Sequence, residues 1–423
     1  MSRLRWVFLQ LSRKLWIRAG LIGLLGVLAA LLAAFAQRYI PAPADDLVSS
    51  EVLSNILNVL ATSMLTVTTF SLSVMVSAYS TATSTVTPRA TTLLIQDSVT
   101  QNVLSTFLGS FLFAMVGIVV MGAGAYGRQG RVVLFFFTVV VIFLIVIAML
   151  QWIYHLTWLG RVSETTQRVE TATMNALQER IDLPFLGANP ILDPSEIPAD
   201  AVSVVTSEVG YVQFIDINAL HDIAQAGNLH LYVMALPGTF AYEGAPLVRF
   251  VPNPVRDEEQ HRQVMGQICA AIEVGHLRSF DQDPRFGLAV LAEIAARALS
   301  PAINDSGTAI DVIGRAARIL SAWGSRPRHP DDEVVKHPRI HVPTLRDDDM
   351  FEDVFGPIAR DGAGRLEVVL RLTKTLRALG QIGDSEFRTA AAHFERVALD
   401  FAATGLERPD DRNRVQRELG LPA

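Results

Sequence analysis

The sequence predicts an α-helical polytopic membrane domain of four transmembrane helices, followed by a cytoplasmic α+β domain. Half of the 423 residues are hydrophobic and only 18% are charged. The long apolar runs all lie before residue 155, whereas most of the charged residues follow it. We therefore predict a four-helix transmembrane domain over residues 1–160, a β-rich module with a linking helix over 161–255, and a helical domain over 256–423.

Four segments are long and apolar enough to cross about 30 Å of hydrocarbon, which takes about 20 helical residues. They lie at Leu15–Phe35, Val52–Tyr79, Val103–Met121 and Val132–Ile153. For the fourth segment a buried core helix is the one competing interpretation, and its length argues against that. A lipid bilayer is therefore the first partner that the sequence predicts.

Basic residues determine the predicted orientation. Five of them precede or open the first span: Arg3, Arg5, Arg13, Lys14 and Arg18. The next loop carries Arg38 against Asp45, Asp46 and Glu51, so we expect it on the exterior side. Two arginines between spans three and four oppose this assignment only slightly. We expect a multi-pass protein of the cell inner membrane with both termini in the cytoplasm.

A cleaved signal peptide is the alternative for the first span, because Ala34-Phe35-Ala36 has the small residues of a cleavage site. The apolar region before it runs for about 20 residues, whereas the apolar core of a signal peptide has about 7–15. We therefore favour a span. Cleavage would leave the orientation of the other three spans unchanged.

Charge and cysteine content limit the remaining partners. The net charge of −6 and the isoelectric point near 5.9 provide no basic surface, so no nucleic acid is expected. Cys269 is the single cysteine in the sequence, which excludes an intrachain disulfide and fits a reducing compartment. It lies in an apolar helical stretch, and we interpret it as a buried, inert thiol.

The second span carries a continuous stripe of polar side chains from Glu51 to Ser84. Successive members lie three or four residues apart, which is the helical period, so they share one face. The candidates for lining a path are Asn55, Asn58, Thr62, Thr66, Thr69, Ser73 and Ser77. The candidates for its exterior mouth are Asp45, Asp46 and Glu51.

Two interpretations of this stripe are open. In the first, the small polar residues pack against neighbouring helices, and their hydroxyls bond to the carbonyl four residues earlier. In the second, several copies of the chain turn the stripe toward a shared axis and line a hydrated pore. The acidic mouth would then favour cations over anions. No ionisable residue lies in the middle of a span, which argues against a proton-coupled carrier.

The chain after the spans begins with a polar helix, predicted over Thr165–Leu183. Alternating strands follow near Val202–Thr206, Gly210–Asp216 and His230–Leu236. Strand, short helix, strand and a glycine-punctuated turn are similar to half of a barrel-sandwich hybrid of the biotinyl or lipoyl type. This predicts a small β-barrel-sandwich-like part. Val202–Val255 contains no lysine to carry a prosthetic group, so we expect a small binding or packing module.

From Arg256 onward the apolar spacing becomes helical. We predict helices at Glu258–Val274, Ala289–Ala298, Met350–Ile358, Arg365–Leu379 and Ser385–Ala403. The proline-rich and charged segment Ser325–Asp349 is predicted as a loop with one short strand at Arg339–Val342. The charged tail Glu407–Leu419 is a solvated terminal helix or disordered.

Polar residues at the predicted helix ends form a candidate cytoplasmic cluster. Its members are Arg278, Asp281, Asp283, Asn304, Asp305 and Thr308. The favoured interpretation is a structural network of helix caps with an ion pair, since Asp283 precedes a proline at the first helical position. The alternative is a site for a small ligand or a divalent cation. No spacing is typical of a metal site, so we predict no bound metal.

Catalytic signatures are missing from the sequence. It contains no glycine-rich phosphate loop, no Gly-x-Ser-x-Gly and no His-Glu-x-x-His. His221 is interpreted as a surface or capping residue. We therefore expect no enzymatic activity and no cofactor.

Several short motifs run in order along nearly the whole chain. They are Thr87-Pro-Arg89, Gln101–Phe111, Gly210–Gln213, Gly238, Gly244–Leu247, Gln282–Pro284, Phe286-Gly287, Ala298–Asp305 and Thr308-Ala309. Together they resemble the bacterial family of predicted membrane proteins catalogued as domain of unknown function 2254. The chain departs from the family at Thr87, where serine is usual, and at Ser306-Gly307, where proline and an aromatic residue are usual. The resemblance implies four spans and a soluble domain, and it carries no established activity to transfer.

Our leading functional hypothesis is a homo-oligomeric ion channel or transport protein whose second span lines the path. The cytoplasmic domain would be a ligand-responsive gate or an assembly platform for a small ion or ligand. The alternative is a membrane-anchored scaffold or sensor with a ligand-binding cytoplasmic domain and no conduction. In that case the spans only pack.

Overall fold

The computed structural model describes residues 6–7, 11–12, 15–36, 49–95, 97–251, 258–326 and 335–420. The chain forms two compact units. The first, Val7–Thr165, is called the membrane unit here. The second, the α+β unit, comprises Trp6 and Thr166–Ala423.

The membrane unit consists of helices. They are α1 (Leu15–Ala36), α2 (Ser50–Thr85), α3 (Pro88–Ile95), α4 (Ser98–Gly122) and α5 (Arg128–Leu156). Within the described chain, four helices (α1, α2, α4 and α5) are long and apolar enough to cross a membrane, which confirms the four predicted apolar helices. The helices α2 and α4 begin earlier than the apolar pattern predicts, because the Ser49 and Asp97 side chains cap them.

Helix α4 lies at the centre of this unit and contacts α1, α2 and α5. Glycines permit the close approach of α1 to α4. A Cβ added at Gly26 would lie 2.7 Å from the carbonyl oxygen of Gly109, and one added at Gly109 would lie 2.7 Å from Cγ2 of Ile22. Small residues at such crossings are typical of membrane helix packing.

The α+β unit alternates helices and short strands. In chain order these are α6 (Val162–Asp182), β1 (Ala188–Ile191), β2 (Val202–Val205), β3 (Gly210–Ile215), α7 (Ile217–Gly227), β4 (His230–Val233), β5 (Phe240–Ala241), β6 (Pro246–Val251), α8 (Glu258–Ala270), β7 (Ile272–Gly275), α9 (Pro284–Leu299), α10 (Ser306–Gly324), β8 (His337–Pro343), α11 (Asp347–Asp361), α12 (Leu366–Leu379), α13 (Ser385–Gly405) and α14 (Pro409–Leu419). The boundary between the two units falls in the first turn of α6.

The strands form two sheets. The five-stranded sheet has the order β1–β8–β4–β6–β2, in which β8 is parallel to both neighbours and the other pairs are antiparallel. The three-stranded sheet has the order β5–β3–β7 and is antiparallel. The strand β8 lies between strands of the predicted 161–255 module, so that module and the predicted 256–423 domain share a sheet within one unit.

The mixed α+β content is confirmed, whereas the barrel-sandwich arrangement is not. The predicted short strand Arg339–Val342 is confirmed within β8. The predicted helix Glu258–Val274 is wrong at its C-terminal end, because Ile272–Gly275 form β7. Ile272 pairs with Ile215, and this sheet pairing overrides the helical apolar spacing of the segment.

The C-terminal helices pack around aromatic side chains. Phe351 on α11 contacts the rings of Phe355 and Phe387, with centroids 5.8 Å and 5.0 Å apart. All three rings are fully buried. The tail forms the helix α14, and Lys374 on α12 binds Glu418 on it at 2.6 Å.

Candidate functional site

The polar stripe lies on a single long helix. The helix α2 has 36 residues, which makes it about 54 Å long at 1.5 Å per residue. It therefore exceeds the roughly 30 Å of hydrocarbon in a bilayer. Its N-terminus is fixed by the Ser49 hydroxyl, which accepts a hydrogen bond from the Val52 amide at 3.3 Å. The stripe thus has the length to reach beyond both hydrocarbon boundaries.

The two faces of α2 differ sharply in burial. The face that packs within the membrane unit carries Leu53, Leu57, Leu60, Ala61, Met64, Ser71 and Met75, all buried. Leu57 lies so close to Gly117 on α4 that a Cβ added there would be 3.2 Å from its Cδ1. The stripe lies on the opposite face. All seven path-lining candidates are exposed on the membrane unit: Asn55, Asn58, Thr62, Thr66, Thr69, Ser73 and Ser77.

Hydroxyls of the stripe bond to their own helix. Thr66 donates to the Thr62 carbonyl at 2.9 Å, and Thr69 donates to the Leu65 carbonyl at 2.9 Å. Ser73 donates to the Thr69 carbonyl at 3.0 Å. Each of these hydroxyl oxygens keeps lone pairs that face away from the packed bundle. The protons of these three hydroxyls are therefore already engaged, and their oxygens can still accept a hydrogen bond.

The exterior mouth is only partly described. Asp45 and Asp46 lie outside the described residues, as does the side chain of Ser84 at the other end of the stripe. Glu51 lies in the first turn of α2 and is exposed. It is thus one carboxylate at the end of the stripe that the sequence predicts to be exterior.

The predicted cytoplasmic cluster separates into two groups. At the N-terminus of α9, Asp283 accepts from the Phe286 amide at 3.0 Å and pairs with Arg278 through two bonds of 2.8 Å and 3.0 Å. Asp281, beside it in the chain, accepts from Trp6 Nε1 at 2.7 Å. Burial raises the pKa of the Asp283 carboxyl above its usual range, against the opposing hydrogen bonds from Arg278.

The second group lies at the other end of α9. Asp305 caps α10 and accepts from the Thr308 amide at 3.0 Å and from its hydroxyl at 2.6 Å. Asn304, in the left-handed backbone region, accepts from Arg365. Because α9 has 16 residues, about 24 Å separate its two ends. The six predicted residues are therefore not brought together. The first group contains a helix cap and an ion pair, and the second a helix cap and a hydrogen bond from Arg365 to Asn304.

Among the described residues, no group of three or more histidine, cysteine, aspartate or glutamate side chains is arranged to hold a metal ion. The Cys269 thiol is half-buried, and burial raises its pKa, as expected for an unreactive cysteine. The His221 ring packs against His337, with centroids 4.7 Å apart.

Two residues near the α9 N-terminus were missed by sequence reasoning. Trp6 stacks on Phe214 with ring centroids 5.1 Å apart and is 5% exposed. Arg180, near the end of α6, is 6% exposed. Desolvation lowers the pKa of Arg180 to about 10, so its guanidinium stays charged at neutral pH. Neither residue belongs to a motif, and only tertiary structure shows that they are buried.

Comparison with known proteins agrees with this architecture. The family model described as "Predicted membrane protein (DUF2254)" matches residues 12–378. The chain belongs to this family. A family of predicted membrane proteins, together with four spanning-length helices, places the membrane unit in a lipid bilayer.

The curated relatives are described as uncharacterized. The chain is 25% identical over 281 residues to uncharacterized protein Mb1321c of Mycobacterium bovis and to uncharacterized protein Rv1290c of Mycobacterium tuberculosis. Each match covers 66% of this chain and 53% of the relative, so the chain spans about half the length of these relatives. No solved structure matches the chain.

Proposed function

We propose that the chain is the subunit of a homo-oligomeric channel or transport protein of the cell inner membrane, with both termini in the cytoplasm. Its second span would line a hydroxyl-rich path, and the α+β unit would be a ligand-responsive gate or an assembly platform. One observation carries the proposal: the stripe lies on the exposed face of α2, opposite the face that packs.

Packing within the chain does not explain the stripe. Spans α4 and α5 contact α2 and leave all seven candidates exposed. A bilayer offers no hydrogen-bonding partner for the amides of Asn55 and Asn58, so burial of this face in lipid costs free energy. Further copies of the chain around a symmetry axis would cover the stripe and leave its centre open to water. The oxygen lone pairs would then face the path.

Glu51 supports cation preference. A ring of such carboxylates, one from each subunit, would concentrate cations at the mouth of the path. Asp45 and Asp46 add two further negative charges to the same segment of the sequence. We expect reversal potentials in a salt gradient to show cation selectivity, and Glu51→Gln to reduce it. An anion-selective current, or no current from the purified protein, would contradict the proposal.

A specific observation favours the alternative, a membrane-anchored scaffold or sensor without conduction. Because Thr66, Thr69 and Ser73 already donate to their own helix, this face can pack against a second helix without water. Small side chains also allow two copies of α2 to approach closely. Both proposals predict an oligomer, so they differ in whether the stripe is wet.

Water access to the stripe distinguishes the two. Cys269 is the single cysteine, so Ser73→Cys in a Cys269→Ser background presents one thiol to a charged methanethiosulfonate reagent. Ser63→Cys is the control, because Ser63 is exposed on the same helix but lies off the stripe. We expect the reagent to block current at position 73 and not at 63. A position 73 that resists modification in an oligomer would favour the scaffold.

Ser73→Leu tests the path without a reagent. A branched apolar side chain on the stripe should narrow and dewet it, and flux should fall to background while the protein stays folded. Ser63→Leu, with the same change in volume, should keep the wild-type flux. Equal flux in both variants would show that the stripe does not line the path.

A further inference from the structure

Among the described residues, the α+β unit buries two arginines, Arg180 and Arg315, with 6% and 7% of their surfaces exposed. Arg315 has partners on two of its nitrogens: Nε donates to Asp311 at 2.7 Å, and Nη1 donates to Glu170 at 2.6 Å and to Gln167 at 2.7 Å. Arg180 differs from it. Its Nε and Nη2 are buried and have no hydrogen-bond partner among the residues that the structure describes.

A buried guanidinium without partners is costly. A charge transferred out of water loses its hydration, and an unsatisfied buried donor adds a further penalty. Desolvation is the largest influence on the pKa of Arg180, ahead of the opposing attraction to Asp283 and Glu179. Glu179 is an exposed side chain. Its charge therefore gives only screened compensation to the guanidinium.

The nearby carboxylate of Asp283 is engaged elsewhere. Both of its oxygens bond to Arg278, and one also caps the Phe286 amide. The backbone of Gly238 covers it closely, since a Cβ added there would lie 2.7 Å from Asp283 Cγ. Gly238 has a φ of 96°, a conformation that other residues rarely adopt. This packing keeps Asp283 on Arg278. Together, Arg180, Arg278 and Asp283 carry one net positive charge beside the start of α9.

We propose that the α+β unit binds a small oxyanion, the phosphoryl or carboxylate group of a small molecule, on the Nε–Nη2 edge of Arg180. These two nitrogens form the side-on fork of a guanidinium, which matches two oxygens of one phosphoryl or carboxylate group. The neighbouring fork, on Arg278, is occupied by Asp283, whereas the Arg180 fork is buried without a hydrogen-bond partner among the described residues. The proposal concerns the α+β unit alone and does not depend on conduction by the membrane unit.

Calorimetric titration of the purified full-length protein in detergent tests this. The two probes are inorganic phosphate and acetate, each added at constant ionic strength against chloride. We expect at least one of them to bind wild-type protein with a 1:1 ratio per chain. Comparison of the two distinguishes a phosphoryl from a carboxylate ligand. No binding of either probe up to tens of millimolar, on the order of the weakest specific affinities, would overturn the proposal.

Variants assign the binding to the fork. Arg180→Met removes charge and fork at similar length, and we expect it to abolish binding. Arg180→Lys keeps the charge without the fork, and should weaken binding about tenfold or more. Arg396→Gln is the control, because Arg396 is exposed on α13. Binding retained by Arg180→Met, or lost equally in Arg396→Gln, would contradict the assignment.

Thermal unfolding separates a ligand site from a structural arginine. We expect Arg180→Met to unfold in ligand-free buffer at a temperature no lower than wild type, because it removes an uncompensated buried charge. The probe that binds should raise the unfolding temperature of wild type by several degrees at about 100 times Kd, and leave Arg180→Met unchanged. Arg180 would have a purely structural role if Arg180→Met unfolded at a lower temperature than wild type and neither probe changed the unfolding temperature of wild type.

Discussion

The two units of the chain place their polar side chains in opposite ways. In the membrane unit, the polar stripe of α2 faces outward, and Thr66, Thr69 and Ser73 donate to carbonyls of their own helix. In the α+β unit, a buried carboxylate bonds across elements: Glu170 on α6 accepts from Arg315 and Arg318 on α10. An outward polar face on a membrane helix indicates contact with a partner protein or with water. A buried network of ion pairs indicates a role in stabilising the fold.

This contrast also separates positions where change is costly from those where it is not. Buried Glu170 and Arg315 each have partners on another helix, so their substitution disturbs the interior. The exposed stripe is free of such constraints within one chain. Its substitution should therefore affect assembly or flux before it affects stability. Substitutions in the buried contacts and on the stripe test this difference.

Gly287→Ala should give the largest loss of stability. Gly287 lies on α9 directly against α6, and an added Cβ would lie 2.7 Å from Thr173 Cβ and closer still to its hydroxyl. Thr173 is fully buried and its hydroxyl donates to the Val169 carbonyl at 2.6 Å, so it has little freedom to move. We expect a loss of about 3 kcal/mol in the free energy of unfolding, measured by denaturant titration.

Gly314→Ala is the matched control for that substitution. Gly314 lies inside α10, and an added Cβ would meet nothing within 4 Å. Alanine should raise stability there by about 0.5–1 kcal/mol, because it restricts the unfolded chain and favours the helix. Equal effects at positions 287 and 314 would show that α6 does not pack on α9 as tightly as described.

Glu170→Gln should cost about 2 kcal/mol, because it leaves the buried Arg315 with a weaker partner. Burial alone would raise the pKa of Glu170, but the hydrogen bonds from Arg318 and Arg315 outweigh it and hold the pKa below the usual 4.5. A carboxylate whose pKa is lowered in the folded protein contributes its full stability at pH values above its pKa in the unfolded chain. That contribution is lost as the pH falls below about 4.5 and through the folded pKa.

The pH dependence provides the check. Wild type should lose stability faster than Glu170→Gln as the pH falls from about 5 through 4.5 and below, so that the two unfolding midpoints converge. Glu386→Gln, an exposed residue in the first turn of α13, should cost under about 0.5 kcal/mol and keep the wild-type slope. If the stability of Glu170→Gln fell with pH in parallel with that of wild type, the ion pairs of Glu170 would be solvated.

Hydropathy and periodicity predicted most of the architecture, because each depends on local sequence alone. The four spans and the face of the stripe follow from such patterns. The strand β7 did not, since Ile272–Gly275 continue an apolar helical spacing and are strands only through pairing with β3. The cap at Asp283 with Pro284 at the first helical position was predicted, but the helix itself was placed at Ala289–Ala298. Helix α9 instead runs unbroken from Pro284 to Leu299 and keeps its two polar ends apart. Arg180 lies in a polar helix, and its burial depends entirely on distant segments.

Ser71→Leu and Ser73→Leu compare the packed face of α2 with the stripe. Both change serine to leucine, at positions two residues apart on the same helix. Ser71 is 0% exposed on the packed face, and its hydroxyl is buried without a hydrogen-bond partner among the described residues. Leucine there would overfill the contact and cost about 2 kcal/mol. Ser73 is exposed on the stripe, so leucine should change the stability of the membrane unit by less than about 0.5 kcal/mol.

Thermal unfolding in detergent measures both effects, and Ser71→Ala completes the pair. Alanine at 71 removes the unpaired hydroxyl without added volume, so its stability should equal or exceed that of wild type. If Ser73→Leu destabilised as much as Ser71→Leu, the stripe would be packed in the folded protein rather than exposed. If it left unfolding unchanged but dissociated the oligomer, the stripe would be the surface on which the copies of α2 meet.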